Sequence, residues 1–150
     1  MQTRPSRPAG ALFGSASSLL TDAGPLIALV LPQDASHGRC SQAFRELRPT
    51  MVTTWPAFAE AMFLAGRVAG WPVQDRLWQF VTHGRLSFAE PNEPRRAAEL
   101  MSKYRDVPMD LADATLVAVA EQDGHRRVFT LDSDFYVYRL ANGRALRVVP

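Results

Sequence analysis

Ser18-Leu19-Leu20-Thr21-Asp22-Ala23-Gly24-Pro25-Leu26-Ile27-Ala28-Leu29-Val30 is the stretch on which the fold class turns. Ser18 to Thr21 reads as a short apolar strand, and Asp22-Ala23-Gly24-Pro25 marks the turn that follows it. Pro25 fits a first helical turn, where its missing N–H has no intrahelical partner to lose. Leu26, Ile27, Leu29 and Val30 continue as a short apolar helix that Pro32 terminates. A strand passing straight into a helix is half of a βαβ unit, and it leaves Asp22 at the carboxyl end of the strand.

The same alternation runs outward from this unit. Asp34 is expected to cap a helix over 35–47 with Cys40, Phe44 and Leu47 on one stripe. A β-branched strand over 51–54 follows, and then a helix through Val68, with Thr53 or Thr54 as its N-cap and Pro56 in its first turn. Helical spacing of Val73, Leu77, Phe80 and Val81 predicts a helix over 72–82, and 86–89 reads as a strand. Residues 93–104 look helical, Asp110 caps a helix over 111–122 stopped by Gly124, 127–131 is a strand leading to Asp132, and 146–149 is a last strand. Strands alternating with helices predict an α/β fold: a three-layer α/β/α sandwich with a mainly parallel central sheet.

Composition bounds the rest. A chain of 150 residues, 47% hydrophobic and 21% charged, is a one-domain globular sequence. We assign residues 18–150 to that domain and residues 1–17, with too few large apolar residues for a signal peptide, to a disordered N-terminal extension. Arg4 and Arg7 belong to the extension, so the domain carries fifteen basic and fifteen acidic side chains, and net charge does not argue for nucleic acid. All basic residues but Lys103 are arginine, which suits bidentate phosphate contacts, though a GC-rich genome gives the same bias. The lone Cys40 excludes an intrachain disulfide or a multi-cysteine zinc site and fits a reducing, cytoplasmic setting. No apolar run is long enough to span a bilayer.

Four acids carry the chemistry. Asp22 and Asp132 end strands, Glu60 follows the second strand, and Asp113 opens the helix before Asp132. Parallel sheets bind ligands beyond the carboxyl ends of their strands, where these residues fall. Each close pair of carboxylates costs from about 1 kcal/mol in water to about 4 kcal/mol at intermediate dielectric, so a fold that gathers four needs cations. Oxygen ligands select Mg2+ or Mn2+, which can acidify a water and shield phosphoryl charge, making phosphodiester hydrolysis the natural reaction.

LLTDAGPLIAL at 19–29, VTTWPAFAEA at 52–61, MDLADATLVAVAEQ at 109–122 and VFTLDSDF at 128–135 resemble, in order, the motifs of the PIN domain family, close to the VapC-type toxins. The resemblance implies a metal-dependent ribonuclease with Asp22, Glu60 and Asp113 as the main ligands and Asp132 as a fourth, more weakly bound acid. Thr130 would orient an acid or a metal-bound water, and Asp134 would assist. It also implies an RNA substrate, a homodimer and, for a true toxin, a small cognate antitoxin in the acidic groove. The sequence departs from the pattern at Ala23-Gly24, where many members have a hydroxyl residue after the first Asp.

Other readings stand beside these. Asp22 before Gly-Pro is also a turn former, and Asp113 also suits a capping box with Asp110. Glu60 lies among Ala57, Phe58, Ala61 and Met62, where an unpaired carboxylate is costly and a partner is expected. Asp34 and His37 lack further ligands, and His83 and His125 read as imidazolium groups near helix C-termini. Arg126, Arg127, Arg139 and Arg144 flank the last acidic motif, where they would steer a phosphate backbone or form a solvated rim. Two rival functions remain: a non-catalytic PIN-like module binding RNA or protein, motivated by Ala23-Gly24, and a phosphatase using the Asp132-x-Asp134 pair.

Overall fold

Five short strands form one sheet in the computed structural model, which describes residues 18–150; the extension assigned to residues 1–17 lies outside them. The strands are β1 (Ser18–Thr21), β2 (Thr50–Thr53), β3 (Leu86–Phe88), β4 (Arg127–Phe129) and β5 (Arg147–Val149). Their order is β3-β2-β1-β4-β5, and every neighbouring pair is parallel. The chain builds β1, β2 and β3 towards one edge and then crosses to β4 and β5 on the other side of β1. The order in which strands are added therefore reverses between β1 and β4, where their carboxyl ends open a crevice.

Six helices cover the sheet: α1 (Ala23–Val30), α2 (His37–Leu47), α3 (Trp55–Ala69), α4 (Trp71–Thr82), α5 (Pro94–Lys103) and α6 (Leu111–Asp123). Alternation along the strands separates the two faces. Leu20, Val52 and Val128 pack with α5 and α6, whereas Leu19, Met51 and Phe129 face α1, α2, α3 and α4. The expected three-layer α/β/α sandwich is the observed architecture. Residues Ala112 to Ala120 of α6 are all buried, because α6 lies between the sheet, α5 and α3. A helical stretch so largely apolar packs against neighbours on all sides. Among the described residues no helix is long and apolar enough to cross a membrane.

Three local expectations are corrected. Asp34 does not cap α2: its Oδ1 accepts from the Ser36 N–H at 2.8 Å, a local turn that delays the helix to His37. Thr54 holds the N-cap position of α3, but its hydroxyl donates to Thr115 Oγ1 at 2.8 Å, since Thr115 already donates to Ala112 O. Strand β4 stops at Phe129, so Asp132 begins a 3-10 turn at Ser133–Tyr136 instead of ending a strand.

Candidate active site

Asp22 stands at the central crevice because its neighbours hold it there. Its backbone N–H donates to Phe129 O at 2.9 Å, tying the end of β1 to β4. It is the N-cap of α1, with Oδ1 accepting from Ala23 N at 2.7 Å. Oδ2 accepts from the Thr130 hydroxyl at 2.8 Å, and that hydroxyl accepts in turn from Asp132 N at 3.0 Å. The Thr130 proton is thereby aimed at Asp22. Both oxygens of Asp22 are hydrogen-bonded without any help from a hydroxyl at position 23.

Asp113 enters from the other side, in the first turn of α6. Its N–H donates to Asp110 Oδ1 at 2.8 Å, so Asp110 is the helix cap as expected. Its Oδ2 accepts from the Tyr138 hydroxyl at 2.8 Å. Asp132 caps the 3-10 turn, with Oδ1 accepting from Asp134 N at 2.9 Å. Glu60, in the second turn of α3, is exposed while Ala57, Phe58 and Ala61 beside it are buried. The apolar residues take the packed face, and Glu60 stands off it at the cleft, only partly desolvated.

Asp22, Glu60, Asp110, Asp113 and Asp132 line one cleft of about 240 Å3, with Ala23, Gly24 and Leu131 completing the wall. All four acids singled out from the sequence reach it. Asp110 is the addition: it lies one turn before Asp113 and so shares its side of the helix start. Asp134 does not line the cleft; it sits in the 3-10 turn behind Asp132. A phosphatase pair made of Asp132 and Asp134 therefore has only one member at the cleft.

The electrostatics of the cleft are those of unneutralised acids. Asp22 is 7% exposed and Asp113 4% exposed. Burial, reinforced by Asp110 and Asp132, raises the Asp22 pKa against the lowering effect of Thr130 and Ala23. Burial likewise pushes Asp113 up to about 7, opposed by the Tyr138 hydrogen bond and aided by Asp110, Asp22 and Asp132. Glu60 is raised by partial desolvation and by Asp22, Asp110 and Asp132. Among the described residues none of the five carboxylates forms an ion pair. Nor do any three stand, among the described residues, at coordination distance from one point, so the acids line an open cleft and form no closed cage. An all-oxygen, multiply anionic donor set of this kind fits a hard divalent cation.

None of Arg126, Arg127, Arg139 and Arg144 lines the cleft. Arg139 donates to the carbonyls of Tyr136, Val137 and Tyr138, and Arg126 and Arg144 line a separate cavity beside Glu121. The histidines also stay apart: His37 donates through Nδ1 to Ala28 O at 2.7 Å. His125 is 3% exposed, and burial lowers its pKa, which disfavours the imidazolium expected at that helix end.

A model of the PIN domain family matches residues 19–140. The chain belongs to the PIN domain family. Among solved structures it is similar to VapC20 of Mycobacterium tuberculosis, described as a sarcin–ricin loop cleaving toxin. The two share 19% identity and superpose with a TM-score of 0.76 over 88% of this chain and 99% of that one. That likeness shows a common PIN fold. No curated protein matches the chain in sequence. In PIN terms, the matched region holds the complete acidic cleft, from Asp22 at the end of β1 to Asp132 beyond β4.

Proposed function

We propose that this PIN domain is a divalent-metal-dependent endoribonuclease that hydrolyses RNA phosphodiester bonds at the cleft, acting as the toxin of a toxin–antitoxin pair. The observation that carries the proposal is that Asp22, Glu60, Asp113 and Asp132 line one cleft at the sheet's switch point, with no basic side chain paired to them among the described residues. Family membership and the fold shared with a toxin described as cleaving the sarcin–ricin loop support it.

Asp22, Asp113 and Glu60 would hold Mg2+ or Mn2+, with Asp132 as the weaker fourth acid. Bound there, the ion would acidify a water and offset charge on the phosphoryl group. The chain's own residues set up the rest. Thr130 and Ala23 N–H fix the plane of the Asp22 carboxylate, and Asp110 holds the first turn of α6, which carries Asp113. Glu60 already lines the cleft from α3, and loading would lower the raised acid pKa values by supplying the missing opposite charge. The partners we propose are RNA, a cognate antitoxin and a second copy of the chain, in the cytoplasm.

The test is to incubate the purified protein with RNA and Mn2+ beside Asp22→Asn and Asp113→Asn. Cleavage by the wild type and its loss in both variants is expected. Equal cleavage by all three would overturn the assignment.

A further inference from the structure

The sequence offers no reason to single out Tyr138, yet its hydroxyl makes the one side-chain hydrogen bond that Asp113 accepts among the described residues. Resting on the metal-site proposal above, we propose that Tyr138 is a positioning residue. It ties down Oδ2 of Asp113 so that the carboxylate presents Oδ1 alone to a divalent ion. Tyr138 is 2% exposed, and its phenol donates to Oδ2 at 2.8 Å. A carboxylate can only accept, so this bond has one direction. Oδ1 carries no hydrogen bond among the described residues and is not sealed from solvent, which leaves it as the oxygen facing the cleft.

The phenol cannot easily move away. Its ring meets Tyr104 edge-on at 5.1 Å and Phe135 at 5.2 Å. The next residue is pinned as well, Arg139 N donating to the Tyr104 hydroxyl at 2.9 Å. This clamp joins the end of α5 to the segment that follows β4. That same segment supplies Thr130 to Asp22 and carries Asp132 itself. One stretch of chain, 130–138, thus orients both buried acids and contributes a third. Outer hydroxyls that orient a ligand typically change metal affinity by about 10- to 100-fold when removed.

The experiment is a calorimetric Mn2+ titration of the wild type, Tyr138→Phe and Tyr104→Phe, with melting temperature recorded for each. Tyr138→Phe keeps the ring in the aromatic clamp and removes only the donor to Asp113. Tyr104→Phe removes the hydroxyl that holds Arg139 and touches no carboxylate. The expected result is Mn2+ binding weakened about tenfold in Tyr138→Phe and unchanged in Tyr104→Phe. Wild-type affinity in Tyr138→Phe, or equal weakening in both variants, would overturn the positioning role and leave the metal site standing. No Mn2+ binding by the wild type would overturn the metal site itself.

Discussion

Replacing Asp113 by Asn should stabilise the metal-free protein above neutral pH and do so progressively less as the pH falls. Asp113 titrates near 7 in the fold against 3.8 for an unperturbed Asp. Between those values the native state keeps a proton that the unfolded chain has released, so stability falls as the pH rises and levels off above about 7. The shift caps the loss at about 4 kcal/mol. Most of that loss is the cost of burying the charge, with repulsion from Asp110, Asp22 and Asp132 behind it, and relaxation of the cleft around the charge leaves about 1–2 kcal/mol. Against this, Asn gives up the favourable meeting of a carboxylate with the N-terminus of α6, worth about 0.3–1 kcal/mol. Its carboxamide oxygen can still accept from Tyr138. The net gain is about 1 kcal/mol at pH 8, or about 3–5 °C in melting temperature. Thermal unfolding of both proteins in chelator at pH 8 and pH 4.5 checks it. A variant less stable than wild type at pH 8, or the same difference at both pH values, would refute the electrostatic account of the cleft. Mn2+ should then raise the wild-type melting temperature and leave Asp113→Asn nearly unmoved.

Thr130→Val removes the hydroxyl between Asp22 and Asp132 N while keeping the side-chain shape; RNA cleavage should fall about tenfold or more, with an unchanged circular dichroism spectrum. Glu60→Gln should leave chemical-denaturation stability within about 0.5 kcal/mol, because the side chain is exposed. The same variant should bind Mn2+ more weakly than wild type in a calorimetric titration. Leu116→Ala, in the buried stretch of α6, should cost about 2–5 kcal/mol in urea unfolding, and a loss under about 1 kcal/mol would contradict the packing described for α6.

Much of the framework was legible in the sequence because it rests on local signals. Pro25 and Pro32 bracket α1, Gly124 adopts a left-handed φ of 74° at the end of α6, and apolar runs mark β1, β2 and β4. The four acids were picked out together because carboxyl ends of parallel strands converge, yet only Asp22 directly follows a strand; Glu60 and Asp113 lie on helices and Asp132 caps a 3-10 turn, and all four line one cleft. What escaped the sequence depends on partners distant along the chain. Thr54 looked like a cap, but Thr115, far along the chain, takes its hydroxyl. Asp110 was seen only as a cap, since nothing local says which side of α6 borders open space. Tyr138 gave no periodic signal, because its position follows from Tyr104 and Phe135 packing around it.

Diffraction from crystals soaked in Mn2+, read through the metal's anomalous signal, tests the central claim most directly. A peak inside the cleft, within about 2.0–2.6 Å of carboxylate oxygens of both Asp22 and Asp113, is the predicted result. A cleft without a peak at saturating Mn2+, or a peak held only by other residues, would contradict it.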